Sequence, residues 1–214
     1  MPDRCTYDYA IVRVVPRVER GEFVNVGAIV SSDAKGYLAA RLVDGSRGLN
    51  LALDYLPGSV AFDPLAWQPD VELASRIVWF DAFVTNLDRT ARNTNMLVWH
   101  GKLWLIDHGA ALYFHHSSAD YGARAKSPFP AIKDHVLLPF ANDLGAADAA
   151  MAAGLTSDRI AAITALIPDD WLDDDPHYAS KEAHRAAYAD YFAQRLHAPR
   201  AFAEEAARCA SLLA

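Results

Sequence analysis

Residues 71–84 constrain the fold more than any other part of the chain. Their second half is apolar on nearly every side, with Ile77, Val78, Trp79, Phe80, Phe83 and Val84 crowded into a short stretch. A helix without a polar face has to lie inside a domain. Asp70, after Pro69, is suited to start it, because a short acceptor side chain satisfies an amide that the first turn leaves open. The end of such a helix delivers the polar run NLDRTARNTN, residues 86–95, from a rigid support. Residues 96–99 and 102–106 then read as two short strands around His100-Gly101. Glycine supplies the positive φ of a two-residue hairpin turn, and histidine tolerates it better than most residues. The hairpin doubles the chain back, so Asp107 returns toward the loop that led into the first strand, and Gly109 permits a sharp exit.

Asp88, Asn93 and Asp107 are the candidate reactive group, with Asn86, Arg89, Asn95, His108 and Gly109 in support. Phosphoryl transfer asks a protein mainly to position phosphates, a magnesium ion and an attacking hydroxyl. Magnesium takes hard oxygen ligands and usually only one or two protein carboxylates. Asn93 and Asp107 are suited to that role. Asp88, kept off the metal, can then accept or orient the proton of the attacking hydroxyl. The competing reading makes Asp88, Arg89 and Arg92 a solvated, ion-paired loop, and Asp107 alone a strand-end turn former.

The segments NLDRTARN, LVWHGKLWLIDHG and AALYFHH together resemble the HipA-like kinases, bacterial relatives of the protein kinase fold, in their C-terminal catalytic lobe. The likeness runs from about residue 48 to residue 214. Along it, LNLALDYLPGS resembles the segment that leaves the hinge, and FPAIKDHVLLPF resembles a stretch that follows the metal loop. The resemblance implies Asp88 as the catalytic-loop Asp, Asn93 as the metal-binding Asn, and Asp107 as the Asp that opens a DxG-type motif. It also implies ATP and Mg2+ as cofactors, a nucleotide partner, and a protein or small-molecule hydroxyl as acceptor. The nucleotide-binding residues are not identified.

A kinase small lobe carries a phosphate-covering loop and a strand lysine. Neither pattern occurs here: Lys35 sits in the turn-like DAKG, and Gly21, Gly27, Gly36, Gly45 and Gly48 do not make G-x-G-x-x-G. Arg13 is the only strand cation considered as a stand-in for that lysine, and the expectation is that it does not replace it. The opening CTYDYAIVRVVPRVERGEFVNVGAIVSS instead resembles a small bacterial domain of unknown function whose genes often neighbour those of HipA-like kinases. Residues 9–15, 23–31 and 37–43 read as its strands. The expected class is therefore α+β, a mostly helical kinase-like large lobe with a catalytic-loop β-hairpin, behind a short β-rich segment and without the kinase small lobe. The expected divisions are residues 1–43, a hinge-like linker over 44–69, and the lobe over 70–214.

Helices are expected over residues 144–154, from Thr156 or Ser157 to residue 166, from Ser180 to about residue 196, and beyond Pro199. Tyr188, Tyr191, Phe192 and Leu196 recur at helical spacing and read as core. His108, His115 and His116 lack a third ligand at zinc spacing, and the acidic run around Trp171 lacks the order of a calcium loop. His135 reads equally as a structural histidine or as support for the site.

With 52% hydrophobic and 22% charged residues the chain is globular in composition. No apolar run is long enough to span a bilayer. The net charge of −7 argues against non-specific nucleic-acid binding. Cys5 and Cys209 form no metal or disulfide pattern, and the amino terminus lacks a signal-like apolar run, so a cytoplasmic location is expected. Three function classes follow: a phosphotransferase, an inactive pseudokinase or protein-binding module, and a metal-dependent phosphohydrolase using Asp88 and Asp107.

Overall fold

The computed structural model describes residues 56–112, 121–172 and 177–213, together with the backbone of 8–17, 22–32 and 37–42. The expected hinge segment before residue 56, His115, His116 and Asp173 to Asp175 lie outside the described residues. The fold is α+β, and the chain divides into two compact units, residues 1–59 and 60–214.

In the first unit, β1 (Asp8–Arg17), β2 (Glu22–Ser32) and β3 (Tyr37–Leu42) form an antiparallel sheet in that order. Asp8 pairs with Ser31, and Ser32 with Tyr37. The three strands match those expected over residues 9–15, 23–31 and 37–43, with ends shifted by one or two positions. Register slips between Val12 and Arg13 and between Val14 and Arg17 mark bulges in β1.

The second unit is built around α1 (Val71–Phe83). Asp70 caps it as expected, its carboxylate accepting from the Leu73 amide at 2.8 Å. Ala74, Val78, Trp79 and Ala82 are fully buried, so the apolar second half of the helix does lie in the interior, while Glu72 and Arg76 pair in solvent on its first turns. Its aromatic side stacks Trp79 on Phe83 with centroids 5.2 Å apart, and Phe202 closes edge-on at 5.2 Å from Trp79. Against it pack α3 (Leu144–Gly154), α5 (Lys181–Leu196) and α6 (Ala201–Ser211), and α4 (Ser157–Thr164) packs on α5. Thr156 and Ser180 cap α4 and α5, as the sequence indicates. Tyr188 and Tyr191 are buried and Phe192 and Leu196 half-buried, which is the core face anticipated for α5. Trp79 Nε1 and Arg200 both donate to Asp148, the latter through two nitrogens at 2.7 and 2.6 Å, so one carboxylate ties α1, α3 and α6 together.

A second small sheet has the order β4 (Val60–Ala61), β5 (Met96–Trp99), β6 (Lys102–Leu105). The turn between β5 and β6 has φ of +48° at His100 and +71° at Gly101, the paired positive values that a tight hairpin requires. Strand β4 and the short α2 (Tyr121–Ala125) were not foreseen. Residues 129–140, read above only as a family-like stretch, contain two 3-10 turns, Pro130–Asp134 and Leu138–Phe140, and Ile132, Leu137 and Leu138 along the stretch are buried.

Arg195 on α5 completes the frame. Its guanidinium donates to the carbonyls of Ala82 and Phe83 at 2.8 Å each and to those of Ala125 and Ser127 at 3.2 Å, and it lies 4.6 Å from the Phe202 ring centroid. The final carbonyls of α1 have no partner within the helix, so a buried cation there satisfies them and complements the helix dipole.

Candidate functional site

The chain leaves α1 through Thr85, a buried residue with φ of +55°. That sharp turn is followed by a bond from the Asn86 amide to the Asp81 carbonyl, 2.9 Å, and by Asn86 Nδ2 donating to Asp81 Oδ1 at 3.0 Å. Asn86 Oδ1 accepts the Asp88 amide at 3.2 Å. The start of the polar loop is thereby fixed to the helix that delivers it.

Asp88 is half-buried, and two carboxamides hold it. Asn93 Nδ2 donates to its Oδ2 at 2.8 Å, Asn95 Nδ2 to the same oxygen at 3.2 Å, and Asn95 Nδ2 also faces the Asp88 carbonyl at 3.4 Å. Between them the chain makes a tight turn, with Thr90 and Asn93 exchanging backbone bonds of 2.9 and 3.2 Å. Among the described residues no donor reaches Asp88 Oδ1 or competes for Asn93 Oδ1, so each keeps an acceptor oxygen for a ligand. Asn93 is exposed.

Asp107 follows the hairpin at φ +48° and is exposed. Its neighbour Ile106 donates to the Asn95 carbonyl at 2.9 Å, which places Asp107 one residue beyond a backbone bond whose other end is two residues past Asn93. Asp107 Oδ1 accepts the Gly109 amide at 3.2 Å, and a Cβ on Gly109 would sit 3.2 Å from that oxygen. A side chain there would crowd the Asp107 carboxylate. The chain then runs back along the end of α1, the Leu112 amide donating to Val84 O at 2.8 Å and the Leu87 amide facing Ala110 O at 3.4 Å. The oxygens fit a hard cation by their chemistry: an amide oxygen and a carboxylate, in keeping with the few protein ligands that magnesium takes. Among the described residues no three His, Cys, Asp or Glu side chains gather as a metal cluster.

Arg89 is not solvated. It is 1% exposed, and its Nε lies 2.5 Å from Asp81 Oδ2 in an ion pair whose two side chains are both out of contact with water. It also donates through NH1 to the Asn95 carbonyl and approaches His108 Nδ1 at 3.4 Å through NH2. His135 completes the cluster from the first 3-10 turn. Its Nδ1 accepts the Leu137 amide at 3.0 Å, so the ring hydrogen lies on Nε2 and points at Asp81 Oδ2, also 3.0 Å away. Burial pushes the Asp81 carboxyl up, but His135 and Arg89 together outweigh it and hold the group below its ordinary value. Burial and the Arg89 charge push His108 down, against a smaller pull from Asp81 and Asp107. The loop is stitched to the same region by the Thr90–His135 bridge and by the Val136 amide donating to Arg89 O at 3.1 Å.

Asp88, Asn93 and Asn95 are thus brought into direct contact, Asn86 and Arg89 buttress them from the buried side, and His108 and Gly109 shape the turn that carries Asp107. Arg92 is exposed at the loop tip. Asp81 is the residue that sequence reading overlooked. A lone carboxylate in the apolar second half of α1 must have a buried partner, and that was its signal.

The architecture defines an α+β protein without a long, apolar membrane-crossing helix among the described residues. Residues 9–55 match a family model described as a protein of unknown function (DUF3037), the fragment expected at the amino terminus, and the match runs past the fade expected near Val43. No curated protein and no solved structure matches the chain.

Proposed function

We infer that residues 70–214 are a HipA-like kinase lobe that binds ATP with magnesium and transfers phosphate to a protein or small-molecule hydroxyl. The supporting observation is the Asp88 carboxylate, fixed at Oδ2 by Asn93 and Asn95 and left with Oδ1 for an incoming hydroxyl. Two donors on one oxygen fix the direction of the carboxylate, which is what a group that orients a nucleophile needs. Asn93 and Asp107 would hold the metal, each with an oxygen to offer, and magnesium when bound supplies neutralising charge for the phosphates. The amino-terminal segment, expected to end near residue 43 but matched by the family model through residue 55, is then foreign to the lobe, and the hinge-like linker expected over 44–69 is left with residues 56–69.

The missing strand lysine and glycine-rich loop favour a second reading, an inactive pseudokinase or binding module with the same loop geometry. Metal-dependent hydrolysis ranks last, because no carboxylate cluster accompanies Asp88 and Asp107 among the described residues. A thermal-shift titration separates these. Stabilisation that needs both ATP and Mg2+ and vanishes in Asp107→Ala supports nucleotide binding. Transfer that fails in Asp88→Ala while binding survives supports the kinase; binding without transfer in the unaltered chain supports the second reading.

A further inference from the structure

The buried Asp81–Arg89–His135 cluster has no reacting atom within its reach, yet it touches both chain segments that carry the candidate reactive residues. We propose that Arg89 is a positioning residue for Asp88, acting through Asn95, with Asp81 and His135 holding Arg89 itself in place. The inference rests on the kinase reading for its kinetic consequence and on geometry alone for its structural one.

The Leu137 amide fixes the His135 ring, and His135 Nε2 and Arg89 Nε meet on one oxygen, Asp81 Oδ2, at 3.0 and 2.5 Å. With Nε committed, the planar guanidinium has one orientation left, and it directs NH1 at the Asn95 carbonyl and NH2 toward His108. Asn95 has φ of +45°, a left-handed state that asparagine tolerates, and Arg89 with the Ile106 amide fixes its carbonyl. The side chain of the same residue donates to Asp88 Oδ2 at 3.2 Å. One cation therefore sets the residue that sets the carboxylate, and its other arm touches the turn next to Asp107. Lysine retains the charge but has no fork, so it cannot serve Asp81, Asn95 and His108 together.

The test uses the full chain labelled with 15N-asparagine. In the unaltered chain the Asn95 side-chain amide should be shifted and slow to exchange; Arg89→Lys should move it toward solvent-like values while the Asn86 amide is retained. In transfer assays, Arg89→Lys and Asn95→Gly should each lower kcat by about 10- to 100-fold with the KM for ATP little changed, the scale expected of a misplaced reacting group. The double variant should fall no further, since both changes break one chain of contacts. If Arg89→Lys does not fold, Asn95→Gly carries the test, because glycine suits the positive φ and removes only the amide. An Asn95 amide unmoved in Arg89→Lys, or full turnover in folded Asn95→Gly, overturns the proposal. An unaltered chain that shows no transfer defeats the kinase reading, and the amide result still decides whether Arg89 places Asn95.

Discussion

Asp81 and His135 lie 54 residues apart in the chain and meet in the interior, with His135 Nε2 3.0 Å from Asp81 Oδ2 and almost no solvent at either side chain. The contact joins the helix that leads into the candidate loop to the 3-10 turn that backs it.

Replacing Asp81 should expose how costly a buried cation is without its counter-ion. Asp81→Ala leaves the Arg89 guanidinium uncompensated and should destabilise the second unit by about 3–5 kcal/mol. Urea unfolding followed by tryptophan fluorescence measures it. A loss below about 1 kcal/mol would mean that the ion pair is not formed in solution.

The same carboxyl gives a pH signature. Its folded pKa lies below the ordinary 3.8, so the unfolded chain binds a proton more readily than the folded one in the interval between the two values. Its contribution to stability is complete above about pH 4 and is lost as the pH falls through the folded pKa. Denaturation midpoints taken at falling pH should decline in that window, and Asp81→Asn should decline less steeply. Parallel curves would refute the assignment.

Thr85 is strained as well as buried, with φ of +55° and a hydroxyl that finds no hydrogen-bond partner among the described residues. A β-branched residue in that conformation costs about 1–3 kcal/mol, and an unsatisfied buried hydroxyl a similar amount. Thr85→Gly removes both, against about 1 kcal/mol for glycine's greater freedom in the unfolded chain and about 1 for the lost methyl. A gain of about 1 kcal/mol in unfolding free energy is the expected result. A destabilised variant would show that the strain is not relieved by glycine.

Phe202 packs against both Trp79 and Phe83, with centroids 5.2 and 5.7 Å away, and is 1% exposed. Phe202→Ala should cost about 3–5 kcal/mol through lost burial and the cavity left behind. Calorimetry would register it as a large drop in Tm, with the candidate loop otherwise intact. A change within the noise would place α6 off the core.

Much of this was legible in the chain itself. Asp70, Thr156 and Ser180 announce helix starts because capping is a local matter between a side chain and amides three residues on. His100-Gly101 announces a turn for the same reason, and the all-apolar second half of α1 can only be interior. The contacts among Asp88, Asn93 and Asn95 span at most seven residues, so order and spacing suggest them. What could not be read is long-range. The two-residue β4 has too little pattern to be recognised. Asp81 looks like a blemish in an apolar helix until His135 arrives from another part of the chain, and the charge of Arg89 suggests solvent where the fold supplies a buried anion.

The grip of Arg195 has a bearing on how this protein can change over generations. The carbonyls of Ala82, Phe83, Ala125 and Ser127 that it engages are main-chain groups present in every amino acid. Substitution at those four positions leaves the acceptors in place, so the ends of α1 and α2 can drift in composition while staying fastened. A single codon, that of Arg195, therefore carries a constraint that would otherwise be spread over four.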